Sequence, residues 1–372
     1  MFQFKQYNLK QYKISLFLLV ILLSGIGAFF VRLAQQDLFK KQILGVVLGI
    51  IVLIIVSLID YHFICEFYII MYIINLVLLL AVRFFGIEIN HSQRWIDLKV
   101  TTIQPSEFSK VIMILVLAKI FTMLKAKMNK FYVLVLAGIL MGIPTLLILI
   151  QTNLSTSLVM MFIFAIMIFS AGLSYKIILP ILIIGIPIVM GLFWYIQQDY
   201  QNILTPYQQG RVVAFLNPEL EASSDLMYQQ DSSIQVIGAG RLTGKLLTEG
   251  VDAIQSDTYV PISESDFIFS VIGESLGFIG GCVIIGLFSI MIFKCLMIAR
   301  NAPDYLGMLI ATGVASMLMF QVFVNIGVAT KILPNTGLQL PFVSNGLSSL
   351  LSCMIAIGLV LNVDLQKKMK RG

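Results

Sequence analysis

The feature that most constrains this chain is a succession of apolar blocks, typically about 18–25 residues long and nearly free of charge. A helix of that length crosses roughly 30 Å of hydrocarbon. The blocks predict ten spans, at 14–31, 43–59, 63–82, 108–124, 131–150, 157–172, 177–196, 267–298, 305–330 and 347–363. The eighth is too long for one straight crossing, so it is expected to be tilted, to extend beyond the bilayer or to be broken. Only 12% of the 372 residues are charged and 59% are hydrophobic, with a mean hydropathy of +0.95. A soluble domain carries roughly 25% charged residues, so about half of the usual solvating surface is missing. The expected fold is an all-α polytopic membrane protein forming one domain over 1–372, with a large loop at 197–265 between the seventh and eighth helices.

No secretory leader with a small-residue cleavage site precedes the first block, which is therefore expected to remain a spanning helix. An even number of spans puts both termini on one side. Lys5, Lys10 and Lys13 precede the first span, Lys367, Lys368, Lys370 and Arg371 follow the last, and Lys125, Lys127 and Lys130 share one short loop on that same side. The positive-inside rule makes that side cytoplasmic, although Lys40 and Lys41 in the first outer loop pull the other way. Both termini are then expected in the cytoplasm. Its polar segments 83–106, 151–156, 197–265 and 331–346 face outward, and most residues able to do chemistry lie there. No Walker or dinucleotide glycine motif occurs, which argues against ATP-using chemistry. The net charge of +6 is explained by topology, and no basic run among aromatics suggests a nucleic-acid partner. Cys65, Cys282, Cys295 and Cys353 all sit in apolar segments and read as small hydrophobic fillers.

Four polar stretches carry candidate chemistry. In Ile103-Gln104-Pro105-Ser106-Glu107-Phe108-Ser109-Lys110, Pro105 suits the first turn of a helix and Glu107 complements its positive end. Glu107 and Lys110 share a face, so they can neutralise one another. Alternatively Lys110 faces a cavity and holds an anion, since an ionisable residue within a span is a functional hypothesis. The long loop contains Arg211-Val212, Phe215-Leu216-Asn217-Pro218-Glu219 and a glycine-rich run Gly238-Ala239-Gly240-Arg241-Leu242-Thr243-Gly244-Lys245, which reads as a structural turn or a backbone nest for phosphate. Ser265-Asp266-Phe267-Ile268-Phe269 places a carboxylate where polar loop becomes apolar helix, either as a helix cap or as a reactive group. Gly273, Gly277 and Gly281, at four-residue spacing, suggest close helix packing.

Taken together these segments resemble the SEDS family (shape, elongation, division and sporulation), the RodA and FtsW proteins, with RodA the nearer branch. The resemblance rests on Arg94-Trp95-Ile96, Gln104 through Lys110, Arg211-Val212, Phe215 through Pro218, Ser265 through Phe269, Gly273-Glu274-Ser275-Leu276-Gly277-Phe278, Asn325-Ile326-Gly327, and Leu333 through Ser344. It implies a ten-helix peptidoglycan glycosyltransferase that joins lipid II units and works with a class B penicillin-binding protein, the transpeptidase that cross-links the strands. The family's catalytic aspartate maps onto Asp266. Departures stand at Gln151-Thr152-Asn153-Leu154-Ser155-Thr156, where the family has Gln-Pro-Asp-Leu-Gly-Thr, and at Ser344-Asn345-Gly346-Leu347-Ser348-Ser349. Others are Glu264, where histidine is usual, and Lys331, where glycine is frequent.

The chemistry this implies needs a base for the acceptor hydroxyl, for which Asp266 is the candidate. Direct displacement would invert the α-linked donor, with undecaprenyl pyrophosphate leaving. One carboxylate suffices because pyrophosphate needs little acid assistance, unlike the paired carboxylates of glycosidases. Lys110, Arg94 and Arg211 are the candidate cations for the pyrophosphate, and Glu107, Gln104 and Ser344 are the further candidate substrate-binding residues. A divalent cation, Mg or Mn, is an optional companion of the pyrophosphate, but no dedicated ligand cluster is evident. A lipid II flippase would instead need charge along the depth of a cavity open alternately to both sides. A catalytically inactive scaffold for the cross-linking partner is the other alternative.

Overall fold

The computed structural model describes residues 13–89, 92–97, 99, 101–198, 200–201, 206–216, 224–254 and 259–366. Lys5, Lys10, Asn217, Pro218, Glu219, Lys367, Lys368, Lys370 and Arg371 lie outside them. The long helices are α1 (Ile14–Ala34), α2 (Phe39–Leu58), α4 (Tyr68–Phe85), α5 (Pro105–Met123), α6 (Phe131–Ile150), α7 (Leu154–Ser170), α8 (Tyr175–Ile196), α12 (Ile268–Arg300), α13 (Tyr305–Ala329) and α14 (Leu347–Leu365). Eight of these are long and apolar enough to cross a bilayer. The other two match expected spans: α7 is slightly shorter, and α5 carries Glu107, Lys110 and Lys119.

Three elements differ from expectation. The third span begins with a separate short helix, α3 (Tyr61–Glu66), whose N-terminal Asp60 accepts the His62 N–H; the chain bends at Phe67 before α4. The segment read as a long polar loop contains helices α9 (Pro206–Leu216), α10 (Ser224–Ala239) and α11 (Lys245–Thr248). Between α4 and α5 lies a small antiparallel sheet, β1 (Gly86–Ile89), β2 (Ser92–Asp97) and β3 (Thr102–Ile103), in the order β1-β2-β3. Hydrophobic blocks identify spans well but are blind to helices in polar segments and to strands of two to six residues.

The eighth span is broken, one of its three expected outcomes. Within α12, Gly277 adopts φ 65° and ψ −165°. The backbone N–H groups just beyond the break find carbonyls outside the helix: Phe278 N donates to Arg241 O at 2.9 Å and Ile279 N to Leu242 O at 3.1 Å. This satisfies donors that apolar surroundings would leave unpaired. The loop can come this close only because side chains are missing. A Cβ on Gly277 would stand 2.5 Å from the Gly244 nitrogen, and one on Gly240 would stand 2.0 Å from the Gly273 carbonyl oxygen.

The core is formed by α5, α13 and α14. Most residues of α13 and α14 are buried, and Gly45 and Gly49 of α2 rest against Leu347 and Met354 of α14. In contrast, α8 buries none of its most apolar stretch and lies at the periphery. Hydrogen bonds sort the connections into two ends. At one end Arg94 of β2 meets Thr152, Gln104 meets Ser348, and Asn325 meets Asp266. At the other, Tyr61 and His62 meet Asp304, Gln366 meets Asp60, and Tyr305 meets Ala171. The four cysteines are free; Cys65, Cys295 and Cys353 are buried, whereas Cys282 is exposed on α12.

Candidate functional site

Asp266 ends the loop that leads into α12. It is not the helix cap: Phe267 occupies that position and makes no side-chain capping bond. The carboxylate instead accepts from its neighbour, Ser265 Oγ to Asp266 Oδ1 at 2.9 Å, and stays half-buried. Burial pushes its pKa above the ordinary carboxylate range, while the Ser265 hydroxyl and the charges of Arg94 and Arg211 pull it back down. Two cations from separate elements, β2 and α9, therefore act on one carboxylate.

The floor beneath Asp266 is the irregular segment 331–346. Gly337 has φ 69°, and a Cβ there would stand 3.0 Å from Asp266 Oδ2. Ser344 is brought close, but its hydroxyl is engaged: it donates to Ser265 O at 2.6 Å and accepts from Leu340 N at 2.8 Å. Asn345 N donates to Glu264 O at 2.9 Å, so two consecutive residues of this segment brace the approach to Asp266. Asn325, on α13, donates to the carbonyls of Asp266 and Leu338. It was visible in the sequence as an amide inside an apolar block, although its partners were not.

The start of α5 forms as expected, with Pro105 in the first turn beside Glu107. Gln104 N donates to Ser348 Oγ at 3.0 Å and its side chain to Ser106 Oγ at 3.2 Å. Lys110 does not face an open cavity. It is fully buried, and Nζ donates to Glu107 Oε2 at 2.8 Å. Of its two sequence readings, the internal ion pair is the one present, because a buried ammonium needs an opposite charge within reach.

Several departures from the family pattern acquire reasons. Asn153 caps α7 through its oxygen, which accepts from Thr156 N at 3.2 Å, while its NH2 donates to Ser106 Oγ at 3.3 Å; a carboxylate there would instead accept from the Ser106 hydroxyl. Thr152 has φ 60°, a conformation closed to proline. Lys331 has φ 57°, in the left-handed region where glycine is at ease, and its ammonium pairs with Asp231 of α10. The glycine-rich run 238–245 is a turn and not an anion nest. Its Arg241 and Gly244 N–H groups donate to the carbonyls of Gly238 and Gly240, and Lys245 Nζ pairs with Glu274 Oε1 at 2.7 Å. Of the three spaced glycines, Gly277 marks the helix break, and Gly273 packs on Ile237 of α10. Among the described residues no group of three His, Cys, Asp or Glu side chains converges to hold a metal.

A family model described as cell cycle protein, FtsW/RodA/SpoVE, matches residues 8–369. The probable peptidoglycan glycosyltransferase FtsW of Trichlorobacter lovleyi is 31% identical over 97% of this chain and 95% of its own length. Stage V sporulation protein E of Bacillus subtilis is 36% identical over 78% and 76%, and the peptidoglycan glycosyltransferase MrdB of Escherichia coli K12 is 32% identical over 80% and 78%. Among solved structures, a chain of a peptidoglycan synthase complex that coordinates polymerization and crosslinking aligns with a TM-score of 0.81. It is 27% identical and covers 96% of this chain and 98% of that one. The rod shape determining protein RodA of Thermus thermophilus aligns at 0.70, is 25% identical and has the same coverage. The match over nearly the whole chain, in sequence and in fold, makes this chain a member of the FtsW/RodA/SpoVE family, the SEDS proteins.

Proposed function

We propose that this SEDS glycosyltransferase polymerises lipid II into glycan strands at the outer face of the cytoplasmic membrane, with Asp266 as the general base. The observation that carries the reading is the half-buried Asp266 carboxylate, whose ionisation both Arg94 and Arg211 influence. A base must be ionised to accept a proton, and its strength grows as its pKa rises. Burial supplies that strength, and the two guanidinium groups favour the ionised form. A positioned base of this kind contributes roughly 10²–10⁴-fold.

The acceptor's hydroxyl loses its proton to Asp266 as its oxygen attacks the donor's anomeric carbon from the face opposite the leaving pyrophosphate. The C–O bond to pyrophosphate breaks as the new glycosidic bond forms, and the α-linked donor becomes a β-linked product. Arg94 and Arg211 are the groups suited to the developing pyrophosphate charge, since a guanidinium can contact phosphate oxygens through two N–H groups. The buried Lys110–Glu107 pair, Gln104 and Ser344 hold the elements around the carboxylate. A divalent ion, Mg or Mn, would need the substrate's own oxygens to complete its coordination and would share the pyrophosphate charge with the arginines. Both termini are assigned to the cytoplasm. A class B penicillin-binding protein is the expected partner, consistent with the complex of polymerization and crosslinking in which the similar chain occurs.

The test is polymerisation of labelled lipid II by the purified chain, with and without such a partner, comparing it with Asp266→Asn. Strands from the native chain and none from the variant are expected. Equal strand formation by both removes Asp266 as the base. Transfer of lipid II between leaflets without strands, unaffected by Asp266→Asn, would mark a lipid carrier.

A further inference from the structure

Asn325 sits near the end of α13, 59 residues from Asp266 in sequence, and is 1% exposed. Its Nδ2 donates to two backbone carbonyls at once, Asp266 O at 2.8 Å and Leu338 O at 2.7 Å. Two acceptors facing one end of the amide fix its orientation, because the amide oxygen in that place would repel both. The carbonyls belong to two non-helical segments. One carries the carboxylate into α12. The other contains Gly337, whose missing side chain leaves room for Asp266 Oδ2. A single side chain thus pins both the backbone that bears the carboxylate and the backbone against which that carboxylate rests.

We propose that Asn325 is a positioning residue for glycosyl transfer: by joining the carbonyls of Asp266 and Leu338 it sets the aim of the Asp266 carboxylate at the acceptor hydroxyl. The proposal rests on the reading of Asp266 as the base. A base works only within hydrogen-bond reach of its proton, about 2.6–3.2 Å, and a displacement of about 1 Å can lower a rate about 10²-fold. Segment 331–346 is irregular, so few repetitive hydrogen bonds hold it, and one well-placed amide has large leverage there.

The fold contains its own control. Asn362, on α14 at the opposite end, is fully buried and equally committed: Nδ2 donates to Ser57 O at 2.8 Å and Oδ1 accepts from Tyr61 N at 3.0 Å. The experiment compares the full-length native chain, Asn325→Ala, Asn325→Asp, Asn362→Ala and Asp266→Asn. Each is assayed with labelled lipid II and a class B penicillin-binding protein for kcat and KM, and separately for thermal unfolding. Both alanine variants are expected to unfold at lower temperature. Only Asn325→Ala should lower kcat, by about 10²-fold, with KM within about two-fold. Asn325→Asp should fall further, since a carboxylate would face two carbonyl oxygens. Equal kcat losses at Asn325 and Asn362 in proportion to lost stability would reduce Asn325 to a structural role and overturn the proposal. An inactive Asp266→Asn beside an Asn325→Ala of native kcat removes the positioning proposal alone. A fully active Asp266→Asn removes it together with the base.

Discussion

The backbone carbonyl of Thr152 accepts a hydrogen bond from the guanidinium of Arg94, joining the turn before α7 to strand β2, 58 residues away. Thr152 presents that oxygen from φ 60°, and the geometry of one turn residue decides where one of the two cations beside Asp266 is held. Proline cannot adopt this φ, whereas glycine adopts it freely. Thr152→Pro is therefore expected to release Arg94, lowering kcat/KM for the proposed substrate, lipid II, about 10-fold or more, since a hydrogen bond to a charged group is worth about 1.5–3 kcal/mol. Thr152→Gly should stay near the native value. Steady-state polymerisation kinetics of the two variants check this.

Asp266 is held above the usual carboxylate range by burial, against the pull of Ser265, Arg94 and Arg211. As the proposed base it must be ionised, so activity should rise with pH through its raised pKa. Removing a nearby positive charge destabilises the ionised form and raises the pKa further. Arg94→Ala should accordingly move the acidic limb of the pH–rate profile to higher pH, and Arg94→Lys should move it less. A limb unmoved by Arg94→Ala would separate Arg94 from the ionisation of Asp266.

The broken helix α12 depends on a buried ion pair and on absent side chains. Glu274 lies inside the bundle, with its carboxylate on Lys245. Breaking such a pair from one side costs about 3–5 kcal/mol, while replacing both partners with apolar groups is often neutral. Glu274→Gln is expected to lower the thermal unfolding temperature, and Lys245→Met with Glu274→Leu to recover much of the loss. Gly277→Ala should be damaging on two counts, the positive φ and a Cβ 2.5 Å from the Gly244 nitrogen. Because Asp266 stands at the start of this helix, its activity should fall with its stability.

At the opposite end His62 lies between two carboxylates, with Nδ1 2.9 Å from Asp60 and Nε2 2.5 Å from Asp304. The bond to Asp304 raises the His62 pKa against the effect of burial, and Asp60 adds to the rise. Burial alone would raise Asp60 and Asp304. Hydrogen bonds from Gln366 and His62 to Asp60, and from His62, the Gly307 N–H and Tyr61 to Asp304, outweigh it and lower both. The histidine's contribution is present below its unfolded pKa of about 6.5 and is lost as pH rises through the raised folded value. The carboxylates contribute above about 3.9, and that part is lost as pH falls through their lowered values. The native chain is expected to exceed His62→Gln in thermal stability most between these limits, and the gap should close above the His62 pKa. A gap that stays constant into alkaline pH would exclude the charged histidine as its source.

Much of the architecture was legible because a bilayer simplifies the problem. Blocks such as 131–150 and 347–363 have to be helices, since hydrocarbon offers no partner for an open backbone. The helix start at Pro105 and Glu107 and the pairing of Glu107 with Lys110 follow from spacing along one helix. The helices α9 and α10 and the sheet 86–103 were not legible, because weak periodicity in a polar segment fits several conformations equally well.

The sequence by itself determined the helices, the local pairs along them and the carboxylate at the boundary, because each depends on residues within one or two turns. Only the tertiary structure decided that Arg94, Arg211, Gly337 and Asn325 gather around Asp266, and that the Lys110–Glu107 pair is buried inside the bundle. The residues around Asp266 come from positions 55 to 172 residues away from it. Their geometry follows from packed helices and from backbone conformations such as Thr152 and Gly277 that no local pattern announces.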